Sequence, residues 1–409
     1  MTDAPRLDIA ALLDAAEAAP PAEGVDAVAE ALAQMLGARE VSFLIADVSG
    51  GALVRLARAP TTGPAAQRVA AESVPIAASD AGLALRTQQV QQVTAEDGVW
   101  LYAPVTQRGE SLGVLELLLA APPTSAVLAA VQQAAHALAY VVIADRRFSD
   151  LYEWGERSTR LALAAEIQRR LLPASYTCEA GQFSLAGWLI PANEAGGDTF
   201  DYILDRDTLH LSITDAMGHG VQAAQLATLA VGSLRNSRRG GLSVVESAQA
   251  VSRAVAEHGA EDQFVTGQVL RLGLATGAVE FVNAGHTSPL LVRAGVVTRL
   301  SMDADPVFGV WPDRPYALQG LQLQAGDRLV LLTDGMYERN AEAADVDGLL
   351  PQLSGLHPRE AVQELTAAVL SVTGGDVLDD ATALVLDWYG GPARTRVTNA
   401  GAGTGLASA

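Results

Sequence analysis

An α+β fold in two domains, each built on antiparallel sheets, is predicted for this 409-residue chain. Three observations lead there. Short apolar segments are joined by turns of a few residues, and such connections can only pair strands antiparallel. Helical spacing is gathered into a few long stretches instead of following every strand. The length suits two domains or three, and 49% hydrophobic residues can fill sizeable cores.

Residues 1–21 are small, acidic and alanine-rich, an N-terminal extension that forms a short helix or frays. Val25, Val28, Leu32 and Leu36 then share one helix face. VSFLIADVSGGALVRLARA reads as two strands about a Gly-Gly turn. QVQQVT and VWLYAPVTQRGESLGVLELLLA add more strands, the second folded at Arg108-Gly109-Glu110. Residues 22–147 thus form a first domain of helix, antiparallel sheet and exit helix. From Thr124 towards Leu172 helical spacing prevails. Leu128, Val131, Ala135, Leu138 and Val142 alternate steps of three and four, the seam of a coiled coil. Asp145 takes the next slot, so the clean seam is short. It is either a dimer stalk or a face packed on its own domain. Gly155 interrupts the face, and Leu163, Ile167 and Leu171 resume it until Pro173, which makes 148–172 a helical linker.

Residues 173–390 form the second domain. FSLAGWLI, FDYIL, LHLSITDA, VTGQVLRLGL, AVEFVNAG, PLLVRA, VVTRL, RLVLLTD and TALVLDW read as strands. Helices are expected over 220–238, 243–257 and 358–372. The tail 391–409, rich in Gly, Ala and Thr, is expected to be disordered.

A formal charge of −20 argues against nucleic acid or an anionic membrane as partner, since both need a basic face. Cys178 is the sole cysteine, which excludes an internal disulfide and a thiolate metal cluster and fits a reducing cytoplasm. No signal peptide and no apolar run of membrane-spanning length is expected.

Four aspartates stand where apolar strands run out: Asp198 in GGDTFD, Asp215 in LSITDAMGHG, Asp334 in RLVLLTDGMYE and Asp379 in VLDDATALVLD. Aspartate beside glycine is common turn chemistry, and Asp205, Asp207 and Asp327 read that way. Several strand-end carboxylates together make an all-oxygen pocket, which suits Mg2+ or Mn2+. Paired ions of this kind clamp a phosphoryl group and lower the pKa of bound water. The pattern therefore points to a metal-dependent phosphoryl hydrolase.

AAEIQRRLLP, NEAGGDTFD, ITDAMGHG, VNAGHTSP, LLTDGMYERN and DDATALVL follow in the order seen in the PPM family of metal-dependent protein serine/threonine phosphatases. The second domain resembles that family, in particular its bacterial SpoIIE-like branch, over about residues 160–388. The resemblance implies a sandwich of antiparallel sheets flanked by helices and two ions, Mn2+ or Mg2+, per active site. It implies that Asp215 bridges the ions beside the carbonyl of Ala216. Asp198 would complete one shell, and Asp334 and Asp379 would hold the other ion, with Asp380 sharing or replacing the role of Asp379. Strand alternation puts Asp201 on the other face from Asp198, as a supporting or structural residue. His219 is either a proton donor or a helix cap, while His286, Asn283 and Asn340 read as structural. Gly196, Gly197, Gly218, Gly220 and Gly335 are expected to let the backbone approach ions and phosphate or to form ordinary turns, the latter above all at Gly220.

The implied reaction is direct attack by metal-activated water, without a phosphoenzyme. The implied substrate is a phosphoserine or phosphothreonine protein, by analogy with the branch an anti-sigma-factor antagonist in stress signalling. The helix Leu161–Leu172 matches a switch segment of the branch. Residues 22–147 resemble a GAF domain, a dimerisation module or a sensor of a small molecule or protein. The chain offers no cysteine there for a bilin, and its only histidine in that domain, His136, lies in the exit helix. The alternatives are a degenerate phosphatase serving as a dimeric scaffold, or a hydrolase of a small phosphorylated metabolite.

Overall fold

Asp8 starts the first helix, its carboxylate accepting from Ala11 N at 3.1 Å. The computed structural model describes residues 7–47, 50–56, 72–155, 162–192, 196–260, 262–303, 305–338, 340–375, 377–392, 396 and 398. The chain divides into two compact units, within 1–160 and within 161–396.

In the first unit α1 (Ile9–Ala18) is part of the core and not a separate extension, because Leu12 is buried among residues of α2 (Gly24–Leu36) and α4 (Ser125–Asp145). The alanine-rich sequence of this helix gave little sign of it. The sheet holds β1 (Glu40–Ala46), β2 (Ala52–Leu56), β3 (Ser73–Pro75), β4 (Gln91–Ala95), β5 (Gly98–Gln107) and β6 (Glu110–Leu119). Its order is β3-β2-β1-β6-β5-β4, with every pairing antiparallel. The β5–β6 turn falls at Arg108 and Gly109, both at positive φ. Phe43 and Ile45 face α2 and α4, while Leu44 faces α3 (Asp80–Thr87), a helix the sequence reading did not foresee. Ser79 caps it, accepting from Gly82 N at 3.0 Å.

The seam of α4 turns inward. Val131, Ala135, Leu138 and Val142 are buried in the core of their own unit, so this face is not a dimer stalk. Nor is the helix continuous to Leu172. It stops at Asp145, and the short α5 (Leu151–Gly155) follows, with the Tyr152 hydroxyl donating to Asp145 Oδ2 at 3.3 Å. By length and composition α4 could cross a membrane, contrary to the sequence expectation, but much of its surface lies inside the unit.

The second unit runs α6 (Leu163–Leu171), β7 (Thr177–Glu179), β8 (Phe183–Ile190), β9 (Thr199–Leu204), β10 (Thr208–Ala216), α7 (Gly220–Arg239) and α8 (Val244–His258). Then come β11 (Val265–Gly273), β12 (Ala278–Ala284), β13 (Leu290–Arg293), β14 (Val296–Arg299), β15 (Gln319–Gln322), β16 (Asp327–Leu332), α9 (Val346–Leu349), α10 (Pro358–Thr373) and β17 (Ala381–Trp388). One sheet is ordered β15-β12-β11-β10-β9 and the other β14-β13-β16-β17-β8-β7. Leu209, Leu211 and Ile213 of β10 meet Leu329, Leu331 and Leu384 of the facing sheet. The intervening side chains of the first sheet look towards α7 and α8, which cover its outer face through Val269, Val282, Ala230 and Val251. Ala361, Leu365 and Val369 of α10 cover the outer face of the second sheet. The result is a four-layered sandwich with helices on both outer faces. β7 and β15 escaped the sequence reading because three or four mixed residues carry no period. The tail expected to be disordered lies almost wholly outside the described residues.

Candidate active site

The carboxylates stand where strands of both sheets end together. β9 and β10 pair with Thr199 opposite Thr214, which brings Asp198 and Asp215 side by side at one end of the first sheet. Ala216 N donates to Gly197 O at 3.3 Å, extending that pairing past both aspartates. In the second sheet β16 pairs with β17, and Thr333 N donates to Thr382 O at 3.1 Å just beyond it. Asp334 follows at the start of a 3-10 turn (Asp334–Met336), and Asp379 and Asp380 immediately precede β17.

Asp198 links the two sheets. Its Oδ2 accepts from Thr333 Oγ1 at 2.7 Å and from Thr382 Oγ1 at 2.6 Å, and the side chain is fully buried. Neither threonine was singled out from the sequence, although each sits in an aspartate motif, LLTDG and DDAT. Burial pushes the Asp198 carboxyl well up, with Asp215 and then Asp380 adding to the effect and the two hydroxyls opposing it.

The neighbours Asp379 and Asp380 have different surroundings. Asp380 is buried in a cradle of donors: Oδ1 accepts from Ala192 N at 2.7 Å and Gly196 N at 3.1 Å, and Oδ2 from Gly196 N at 3.0 Å and from the Gln168 amide. Asp379 is only half-buried, and its Oδ1 accepts from Asp380 N at 2.8 Å. Its carboxyl is raised by burial, with the charges of Asp380, Asp334 and Glu338 adding and the backbone bond opposing. Asp334 itself is exposed. Asp215 lies within the field of Asp334, Asp379 and Asp380, which together with burial push its carboxyl up to about 7.

Two of the glycines allow close packing of backbone at the site. A Cβ at Gly197 would overlap Ala216, and one at Gly335 would overlap the Asp380 carbonyl oxygen. They let strand ends approach one another. His219 takes the N-cap position of α7 but makes no side-chain cap bond. His286 is buried, with Nδ1 2.8 Å from Thr266 Oγ1, and Asn283 brackets its backbone through bonds of 3.0 and 3.2 Å. Asp201 faces away and accepts from Arg235 Nε at 3.0 Å and Nη2 at 3.2 Å.

Gln168 of α6 is buried and reaches this centre directly. Its amide donates to Asp198 O at 2.9 Å and to Asp380 Oδ2. Arg235 Nη2 donates to Leu171 O at 2.6 Å and holds the end of the same helix.

Among the described residues no three His, Cys, Asp or Glu side chains close into a ready cage for one ion. The donor set still fits hard divalent cations. It is all oxygen, and the charged groups that most strongly perturb Asp198, Asp215 and Asp379 are all carboxylates. A cation placed among them would relieve that repulsion. A pH prediction follows. The Asp215 carboxyl is raised in the fold, so its contribution to metal-free stability is full below the unfolded value and lost as pH rises through about 7. Thermal melts in EDTA should show lower stability at pH 8 than at pH 5.5, and added Mn2+ should raise the melting temperature more at pH 8. Equal Mn2+ shifts at both pH values would contradict this.

Residues 205–389 match the family model described as Stage II sporulation protein E (SpoIIE). The second unit carries a SpoIIE-type PPM phosphatase domain. The match includes Asp215, Asp334, Asp379 and Asp380 and begins after Asp198 and α6. Among curated relatives, this chain is 22% identical over 241 residues to phosphoserine phosphatase RsbU of Bacillus subtilis (strain 168), covering 56% of this chain and 70% of RsbU. It is 25% identical over 217 residues to phosphoserine phosphatase RsbP of the same strain, covering 52% of each. A crystal structure of the RsbU and RsbW domains of Rv1364c from Mycobacterium tuberculosis is similar at 26% identity and TM-score 0.46, covering 52% of this chain and 62% of that one. The alignments thus span half of RsbP and somewhat more of the other two.

Proposed function

We propose that this chain is a metal-dependent phosphatase that hydrolyses phosphoserine or phosphothreonine on a protein. The observation that carries the reading is the group of like-charged carboxylates gathered at the strand ends of two sheets, with Asp215 raised to about 7 at its centre. Asp215, Asp334 and Asp379 would hold two Mn2+ or Mg2+ ions together with the Ala216 carbonyl. Such ions, when bound, supply Lewis-acid activation of water and neutralise phosphoryl charge. Asp198 lies beside Asp215, aimed by the Thr333 and Thr382 hydroxyls and available to complete one shell. Asp380 supports the site: its donors from Ala192, Gly196 and Gln168 hold the segment that presents Asp379. The relatives named phosphoserine phosphatase favour a phosphoprotein substrate, and an anti-sigma-factor antagonist is the proposed one.

Control is assigned to the N-terminal unit, a GAF-like module with a small-molecule or protein regulator, acting on α6 in a cytoplasmic homodimer. The hydrogen bonds from Gln168 support α6 as the receiving element. The test of the activity is hydrolysis of p-nitrophenyl phosphate and of a phosphoserine protein with Mn2+, Mg2+ or EDTA. Indifference to EDTA would sink the reading.

Asp201 is proposed as a brace between β9 and α7, outside the ion site. Asp201→Asn should lower stability by about 1–3 kcal/mol, since Arg235 and Arg238 lose a carboxylate that is itself buried. The rate per folded molecule should stay within about threefold of wild type, a change of under 1 kcal/mol. A Mn2+ affinity that collapsed in this variant would instead make Asp201 a ligand.

A further inference from the structure

At the other end of the same sheet, away from the carboxylates, the helix-facing side becomes polar. Asp201, Ser212 and Val269 form one cross-strand row, and Ile203, His210, Arg271 and Glu280 the next. α7 and α8 bring Leu234 and Val244 to these rows beside their polar side chains. They leave a small cleft of about 30 Å³, in which Asp201, His210, Ser212 and Arg271 from the sheet, Arg238 from α7 and Ser247 from α8 stand among apolar side chains. That is room for a small ion and not for a drug-sized molecule.

The donors in this cleft are in excess. Asp201 is already bonded through two nitrogens of Arg235, so Arg238, at 3.4 Å from Asp201 Oδ2, brings a second positive charge to one carboxylate. Arg271 meets Glu280 through a single nitrogen, Nη2 at 2.6 Å, and His210 Nε2 lies 3.3 Å from Asp205. Ser212 and Ser247, 8% and 6% exposed, add two hydroxyls to the lining. Each hydroxyl can donate to a ligand that supplies acceptors. The imidazole of His210 is held below its usual range by burial, with Arg238 and Arg271 adding to the effect and Asp205 opposing it. Both guanidinium charges are therefore felt inside the cleft.

We infer that this cleft is a binding site for a small tetrahedral oxyanion, with inorganic phosphate as the fitting example. Guanidinium and hydroxyl donors reach it from β10, β11, α7 and α8, that is, from several directions. This suits four oxygens around one centre better than a planar carboxylate, which one guanidinium fork can satisfy. In a chain of net charge −20, such a local excess of donors is not a general surface property.

The test uses the full-length protein in EDTA, so its outcome is independent of the proposed phosphatase reaction. Phosphate, sulfate and acetate are titrated by calorimetry at constant ionic strength. Phosphate and sulfate should each bind saturably at one site, in wild type and in Asp215→Asn alike, and acetate should bind at least about tenfold more weakly. Arg271→Gln should raise Kd about tenfold or more, and Ser247→Ala about threefold or more. Ser247→Ala keeps the helix and decides the matter if Arg271→Gln fails to fold. Absence of saturable binding, unchanged affinity in both variants, loss of binding in Asp215→Asn, or acetate binding as well as phosphate would each overturn the assignment.

Discussion

Asp215→Asn is expected to reduce hydrolysis of both p-nitrophenyl phosphate and a phosphoserine protein about 10³-fold or more, even at saturating Mn2+. The change is nearly isosteric, so its effect is one of charge. Asp215 is the carboxylate on which burial, Asp334, Asp379 and Asp380 all act. With asparagine there, a cation loses its most central anionic partner, and the Mn2+-induced rise in melting temperature should largely disappear. The metal-free protein should respond in the opposite sense. Above pH 7 the wild-type fold holds an ionised carboxylate among others, and the neutral amide removes that repulsion. The variant should therefore melt higher than wild type in EDTA at pH 8 while being nearly inactive. A variant that kept full activity would reject the proposed ion site, and one that unfolded in EDTA would reject the electrostatic account.

Gln168→Ala is expected to have the second largest effect, a loss of about 10–100-fold in activity or metal affinity, the range seen when a residue supporting a metal ligand is removed. Gln168 hydrogen-bonds to neither Asp334 nor Asp379. It donates to Asp198 O and to Asp380 Oδ2, and so fixes α6 against the backbone that presents Asp198 and Asp379. Truncation leaves a buried carboxylate oxygen short of one donor, which should also lower stability by about 1–3 kcal/mol. The discriminating measurement is the Mn2+ dependence of the rate. A positioning role moves the Mn2+ concentration needed for half-maximal activity, whereas a purely structural loss lowers the amount of active enzyme at unchanged Mn2+ dependence. If Gln168→Ala left both the rate and its response to a regulator unaltered, α6 would be a connector and no switch.

The strands of the second domain were legible because each alternates or runs apolar between turns, as in LHLSITDA and FSLAGWLI, and local pattern is all that such strands require. The same holds for Asp215 and Asp334, which announce themselves at the ends of apolar runs. Asp379 and Asp380 could not be separated in this way. They are adjacent and chemically identical. Their difference arises from Ala192, Gly196 and Gln168, up to 212 positions away in sequence, which surround one and leave the other facing the aspartates. The seam of α4 was ambiguous for a related reason. A row of Val131, Ala135, Leu138 and Val142 states that one helix face is apolar, but not whether a second chain or the protein's own sheet covers it.

By itself, the sequence determined the fold class, most of the strands and helices of the second domain, and the set of aspartates from which a site could be assembled. Those follow from the period of apolar residues and from local turn chemistry. Only the tertiary structure decided which carboxylates are left to a ligand and which are consumed by the protein, that Thr333 and Thr382 aim Asp198, and that Gln168 ties α6 to the centre. Hydrogen bonding and electrostatic repulsion depend on distance in space, and the groups concerned are brought together from strand ends and a helix that are far apart along the chain.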